Sequence, residues 1–156
     1  MTTKSDEADD HKEPAIPARG LDSLLGLEIL RASGEEVVAS LKITRAHHQP
    51  MGIVHGGVYC SMVETACSFG AQLYAASSGR YVVGVDNHTS FLKATRAGVL
   101  SCTARPLSQG RRTQLWEAHI LNEAGETAAT GRVRLLCLEP GNLAGKPLSV
   151  GSASGD

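Results

Sequence analysis

Glu64 is a carboxylate in an apolar helical run, eight residues after the first glycine of the pair Gly56-Gly57. Val58, Met62, Val63, Ala66, Phe69, Leu73 and Tyr74 recur around it at helical spacings, so a helix is predicted from Gly56 to about Ala76. A carboxylate is expensive to bury unless it is paired, hydrogen-bonded or protonated. Glycines that open a helix leave its first N–H groups exposed as an anion site. Together these are the equipment of an enzyme that attacks a carbonyl: the N–H groups hold an oxyanion, and the carboxylate attacks or activates water. Ser68 adds a hydroxyl one turn further along the same face, and Gln49 and His55 can donate or accept beside the carbonyl. A solvated helix stripe of Ser61, Glu64, Ser68 and Gln72 accounts for the same pattern, and an ordinary tight turn accounts for the glycines. At this level both readings stand.

Other chemistries find little footing. His47 and His48 are adjacent and have no carboxylate at ligand spacing, so no metal is expected. There is no Gly-x-Ser-x-Gly elbow, Walker loop or GxGxxG fingerprint. Cys60, Cys67, Cys102 and Cys137 are scattered without a CxxC, which suits reduced structural thiols in a cytoplasmic protein. Gln109-Gly110-Arg111-Arg112-Thr113, with Lys93 and Arg96, offers cations suited to phosphates. A solvated, aggregation-resistant edge strand would carry the same charges.

Around the helix the pattern is β. Gly26 to Ala32 and Val37 to Ile43 read as strands before an irregular segment from Thr44 to His55. Val82 to Phe91, Val99 to Leu107, Arg112 to Leu121 and Thr127 to Leu138 follow the helix, with Asn122 to Glu126 as a turn. One long apolar helix among roughly six antiparallel strands predicts an α+β domain whose sheet curls around the helix. A formal net charge of −1 gives no basic field for nucleic acid or anionic lipid. The stretch 57–77 is too interrupted by polar residues to span a membrane. Residues 1–19 read as a disordered polar tail without a targeting signal, 20–139 as a single domain, and 140–156 as a flexible Gly/Ser/Ala-rich tail.

At these residues the chain resembles the hotdog-fold acyl-CoA thioesterases. It is most similar to the branch of PaaI-like proteins, Arthrobacter-type 4-hydroxybenzoyl-CoA thioesterases and 1,4-dihydroxy-2-naphthoyl-CoA thioesterases. The resemblance spans about residues 21–139. It rests on Gln49, the His55-Gly56-Gly57 turn, Glu64 and Ser68 at their spacings, on the strand Val83 to Phe91, and on the later pair Pro106 to Trp116. It implies an antiparallel sheet of five to six strands around one helix, hydrolysing a thioester. Gly56 N–H and Gln49 would hold the thioester oxygen, His55 would support the turn, Glu64 would act as nucleophile or base, and Ser68 would position water. Gly57, Phe91, Lys93, Gly110, Arg111 and Arg112 would contact the substrate or its CoA phosphates. The acyl pocket would be shaped by Tyr59, Met62, Val63 and Phe91. No cofactor is implied, since CoA belongs to the substrate. The resemblance also implies a homo-oligomer, a dimer or dimer of dimers, with active sites at the dimer interface. A hotdog enoyl-CoA hydratase or dehydratase and a non-catalytic acyl-CoA binder are the alternatives, each separable by assay.

Overall fold

The computed structural model describes residues 17–141. Most of each expected tail lies outside the described residues. The elements are α1 (Leu21–Leu25), β1 (Leu27–Ala32), β2 (Val37–Lys42), a 3-10 turn (Arg45–His47), α2 (Gly56–Ala76), β3 (Tyr81–Phe91), β4 (Val99–Gln109), β5 (Thr113–Leu121) and β6 (Thr127–Leu138). The six strands form one sheet in the order β1-β2-β4-β5-β6-β3, every pair antiparallel. The expected fold, a six-stranded antiparallel sheet around one long helix, is the one observed.

Two features depart from the sequence expectation. The short α1 is new, and β1 begins at Leu27 because Gly26 closes α1 in the left-handed conformation, at φ 65°. Glycine reaches that conformation without a Cβ clash. The second is the position of β3, which the sequence reading did not assign. β4, β5 and β6 form a meander, with the Asn122–Glu126 turn closed by Asn122 N–H donating to Glu126 O at 2.9 Å. β3 stands outside this meander, on the far side of β6, and does not neighbour β4.

The sheet can wrap α2 closely because the helix presents small residues to it. Ala66, Gly70, Ala71 and Ala75 are buried beside Val58, Met62, Val63 and Cys67. Trp116 lies fully buried against Gly70, where an added Cβ would meet the ring at 2.4 Å. The indole N–H donates to Gln114 Oε1 at 2.9 Å, and the buried Gln114 donates to Ala71 O at 3.1 Å. Trp116→Ala should therefore lower the unfolding free energy by about 3–5 kcal/mol, read as an earlier midpoint in equilibrium urea unfolding. A loss below about 1 kcal/mol would mean that the ring does not anchor the core.

All four cysteines are free. Burial pushes the Cys67 thiol far up, helped by nearby Cys102, and burial lifts Cys102 to about 12. Both behave as small apolar side chains, as their placement in helix and strand suggested. Among the described residues, no helix is long and apolar enough to cross a membrane.

Candidate active site

The segment before α2 is built from internal bonds that fix where the helix starts. Thr44 N–H donates to Nδ1 of the buried His47 at 2.9 Å, and His47 Nε2 lies 2.9 Å from Leu25 O. His48 Nε2 lies 2.7 Å from Arg96 O. Both histidines therefore tie the loop down. Gln49 Oε1 accepts from Met51 N–H at 2.9 Å, which leaves its amide N–H groups for another partner. Arg96 closes the loop through Met51 O and Gly52 O at 3.2 and 3.1 Å.

His55 is the N-cap of α2. Its Nδ1 accepts from Gly57 N–H at 2.9 Å, and its carbonyl accepts from Val58 N–H at 2.9 Å. Gly56 N–H has no acceptor among the described residues. The glycine pair thus divides its work: Gly57 N–H is used by the cap, and Gly56 N–H remains for a ligand. The Phe91 ring packs directly on the bare backbone of Gly56, where an added Cβ would lie 2.6 Å from it. Tyr59 tilts against Phe91 with ring centroids 5.9 Å apart. Phe91 is 55% exposed and Tyr59 only 3%, so Phe91 lids the helix start while Tyr59 roots it in the core.

Glu64 is half-buried and sits between two donors. Ser68 Oγ donates to Oε1 at 3.3 Å, as the four-residue spacing suggested. Asn87 Nδ2 donates to Oε2 at 2.9 Å and to Cys60 O at 3.1 Å. Thr89 Oγ1 donates to Asn87 Oδ1 at 2.6 Å, which fixes the amide orientation. Asn87 was not among the residues singled out by sequence. Its only signal was an asparagine, a poor β-former, in the middle of a strand.

An open cavity of about 340 Å³ lies beside Glu64, lined by Asp22, Thr65, Ser68, Phe69, Gln72 and Val82 as well. Thr65 Oγ1 donates to Asp22 Oδ1 at 2.7 Å, so α1 supplies part of the wall. A second open depression, at Thr95, Ala97, Asn122, Glu123 and Ala124, contains none of the candidate site residues.

The cations divide between the two ends of the fold. Lys93 follows Phe91 at the Gly56 end and forms an ion pair with Glu126. Gly110, Arg111 and Arg112 form the β4–β5 turn at the other end, near the C-terminus of α2. There Arg80 Nη1 donates to Arg111 O at 3.2 Å and Cys137 N–H donates to Arg112 O at 2.8 Å. α2 has 21 residues, so about 30 Å of helix separates the two ends. Within one chain the structure brings together Glu64, Ser68 and Asn87, and separately Gly56, Gly57, His55 and Phe91. It does not bring Arg111 and Arg112 to the helix start. Among the described residues no group of His, Cys, Asp and Glu is arranged to hold a metal ion.

Residues 51–129 match the family model described as Thioesterase superfamily. The chain belongs to the thioesterase superfamily. This hotdog thioesterase chain is 40% identical over 120 residues to the Mycobacterium tuberculosis esterase candidate Rv1847, covering 76% of its own length and 86% of the relative. The solved structure of that protein superposes with a TM-score of 0.75, covering 76% of this chain and 96% of the other. It is 32% identical to the 1,4-dihydroxy-2-naphthoyl-CoA hydrolase of Listeria monocytogenes, over 72% of this chain and 91% of that protein. The crystal structure of thioesterase HI1161 from Haemophilus influenzae, 29% identical, gives a TM-score of 0.73 over 78% of this chain and 85% of that one. The chain is accordingly a hydrolase of the hotdog thioesterase class.

Proposed function

We propose that the protein hydrolyses an acyl-CoA thioester, with an aromatic or medium-size acyl group, to the free acid and CoA. The observation that carries this is the Glu64 carboxylate, held between Ser68 and Asn87 at the wall of an open cavity. On the nucleophilic route Glu64 adds to the thioester carbonyl, the C–S bond breaks, and CoA leaves as the thiolate. Water held by Ser68 then cleaves the resulting anhydride. On the general-base route Glu64 takes the proton from that water as it adds, and the tetrahedral intermediate expels the same thiolate. Either way negative charge develops on the carbonyl oxygen, and Gly56 N–H with the Gln49 amide is the donor set for it. His55 holds that donor in place by capping the helix, and Gly57 and Phe91 line the approach.

The CoA phosphates are taken by Arg111 and Arg112 at the Gly110 turn of one subunit and by Lys93 of another, because a single chain holds these cations at opposite ends of the fold; the contacts are charge-assisted hydrogen bonds. The working form is a homodimer or a dimer of dimers. Two observations support this. Gly56 and Glu64 are eight residues apart on one helix, roughly 12 Å of rise, which is long for two groups acting on one carbonyl. Among the described residues the outer edge of β3 is also unpaired in the sheet, leaving N–H and C=O groups available to pair with a second copy. We assign the protein to the cytoplasm, because its four free thiols suit a reducing compartment.

The test is a thiol-release screen across benzoyl-, phenylacetyl-, naphthoyl- and fatty-acyl-CoAs. Turnover with preference for the aromatic thioesters is expected, in line with the Listeria relative's name. Release of CoA from none of them would remove the proposal. Dehydration of a 3-hydroxyacyl-CoA without CoA release would move the site to hydratase chemistry, and tight binding without turnover would make it a binding protein.

A further inference from the structure

β3 carries an irregularity at the one place where it passes Glu64. Gly84 is paired with Leu135 and Asp86 with Arg134, so Val85 is an extra residue bulged out of the ladder. A bulge reverses which side chains face inward. Before it, Val82 and Gly84 face α2; after it, Asn87, Thr89 and Phe91 do, paired with Val133, Gly131 and Ala129 of the buried face. An unbroken strand would instead turn Asp86 and His88 toward Glu64, setting a second carboxylate against the first.

Gly84, just before the bulge, and Asn87, two residues after it, act on the two oxygens of one carboxylate. A Cβ at Gly84 would lie 2.5 Å from Glu64 Oε1, so the bare backbone there is what makes room for this rotamer. Asn87 holds Oε2 at 2.9 Å. Its amide cannot reverse without penalty, because Nδ2 faces two acceptors, Glu64 Oε2 and Cys60 O, while Oδ1 receives the Thr89 hydroxyl. Oε2 is therefore committed to a 2.9 Å bond. Oε1 has only the longer contact to Ser68, at 3.3 Å.

We propose that the β3 bulge is a positioning device for Glu64, in which Gly84 admits the carboxylate, Asn87 clamps Oε2, and Oε1 is left as the reacting oxygen. The proposal rests on Glu64 being the reacting group. Asn87 is a positioning residue: it acts through the carboxylate and does not touch the substrate. A glutamate side chain has several rotamers to lose, and a displacement of roughly 1 Å at a reacting group can lower rate by about 10²-fold.

The test is a double-mutant cycle on acyl-CoA hydrolysis with kcat and KM separated. Asn87→Ala should lower kcat about 10- to 100-fold with KM within about twofold. Gly84→Ala should do the same by pushing Oε1 aside. Thr89→Val, which only frees the amide to turn, should give a smaller loss in the same direction. In the Glu64→Gln background, assayed at high enzyme concentration, Asn87→Ala should add nothing further, since the group it positions has already lost its charge. Equal losses in both backgrounds, or a change in KM alone, would overturn the clamp. If Asn87→Ala fails to fold, the same cycle is run with Thr89→Val, and an additive loss there overturns it equally. A Glu64→Gln enzyme at wild-type rate would instead remove the parent reading. A dead Glu64→Gln beside an unimpaired Asn87→Ala would remove the clamp alone.

Discussion

Glu64→Gln is expected to lower kcat/KM for acyl-CoA hydrolysis by at least about 10³-fold while leaving the unfolding midpoint in urea unchanged. The substitution keeps the shape of the side chain and removes only its charge. A glutamine carbonyl at the Oε2 position still accepts from Asn87, and its amide reverses the Ser68 contact by donating to the hydroxyl oxygen. What disappears is the capacity to attack a carbonyl carbon or accept a proton from water, which both routes need. Thiol release measures the loss, and a variant within about tenfold of wild type would mean that Glu64 is a structural acceptor rather than the reacting group. The two routes separate in rapid-quench mass spectrometry. An acyl adduct on the peptide containing Glu64 marks the nucleophile, whereas its absence under single-turnover conditions with unimpaired product formation marks the base.

What was legible in the sequence followed from periodicity and local spacing. α2 runs over the expected Gly56–Ala76 because its apolar residues recur at helical spacing and a Ser-Ser-Gly run follows. β6 occupies the expected Thr127–Leu138 for the equivalent reason in a strand. Ser68 reaches Glu64 because a four-residue separation fixes one helix face. Non-local pairing was not legible. Nothing in the order of strands says that β3 crosses to the far side of β6, since a strand's partner is chosen by the whole sheet. The bulge at Val85 has no sequence mark except the preceding glycine, so alternation alone assigns Asn87 to the wrong face. The ion pair of Lys93 with Glu126 joins residues 33 positions apart and is equally invisible. The Gly56-Gly57 pair shows the intermediate case: sequence found both glycines, and only the His55 ring nitrogen distinguishes the capped N–H from the free one.

Mixing two impaired variants should restore activity. The proposed oxyanion donors sit at the start of α2 with Gln49, and Glu64 lies two turns into the helix, which is why each site is proposed to join the donors of one subunit to the carboxylate of another. Glu64→Gln abolishes the attacking group, and Gln49→Ala removes a donor, a loss of about 10²–10³-fold by analogy with other oxyanion holes. Gln49 is preferable to Gly56 for this purpose, because any side chain at Gly56 would strike the Phe91 ring. When the two variants are co-expressed with different tags, each mixed dimer contains one site carrying both defects and one carrying neither. Random pairing makes half the dimers mixed, so activity should recover to about a quarter of wild type, and to about half in dimers purified through both tags. If donors and carboxylate belonged to the same chain, every site in a mixed dimer would carry one defect. Doubly purified dimers would then be no faster than the mean of the two parents. Recovery in the mixed dimer would make the unpaired edge of β3 part of the catalytic apparatus, because the contact that joins two copies would also complete the site.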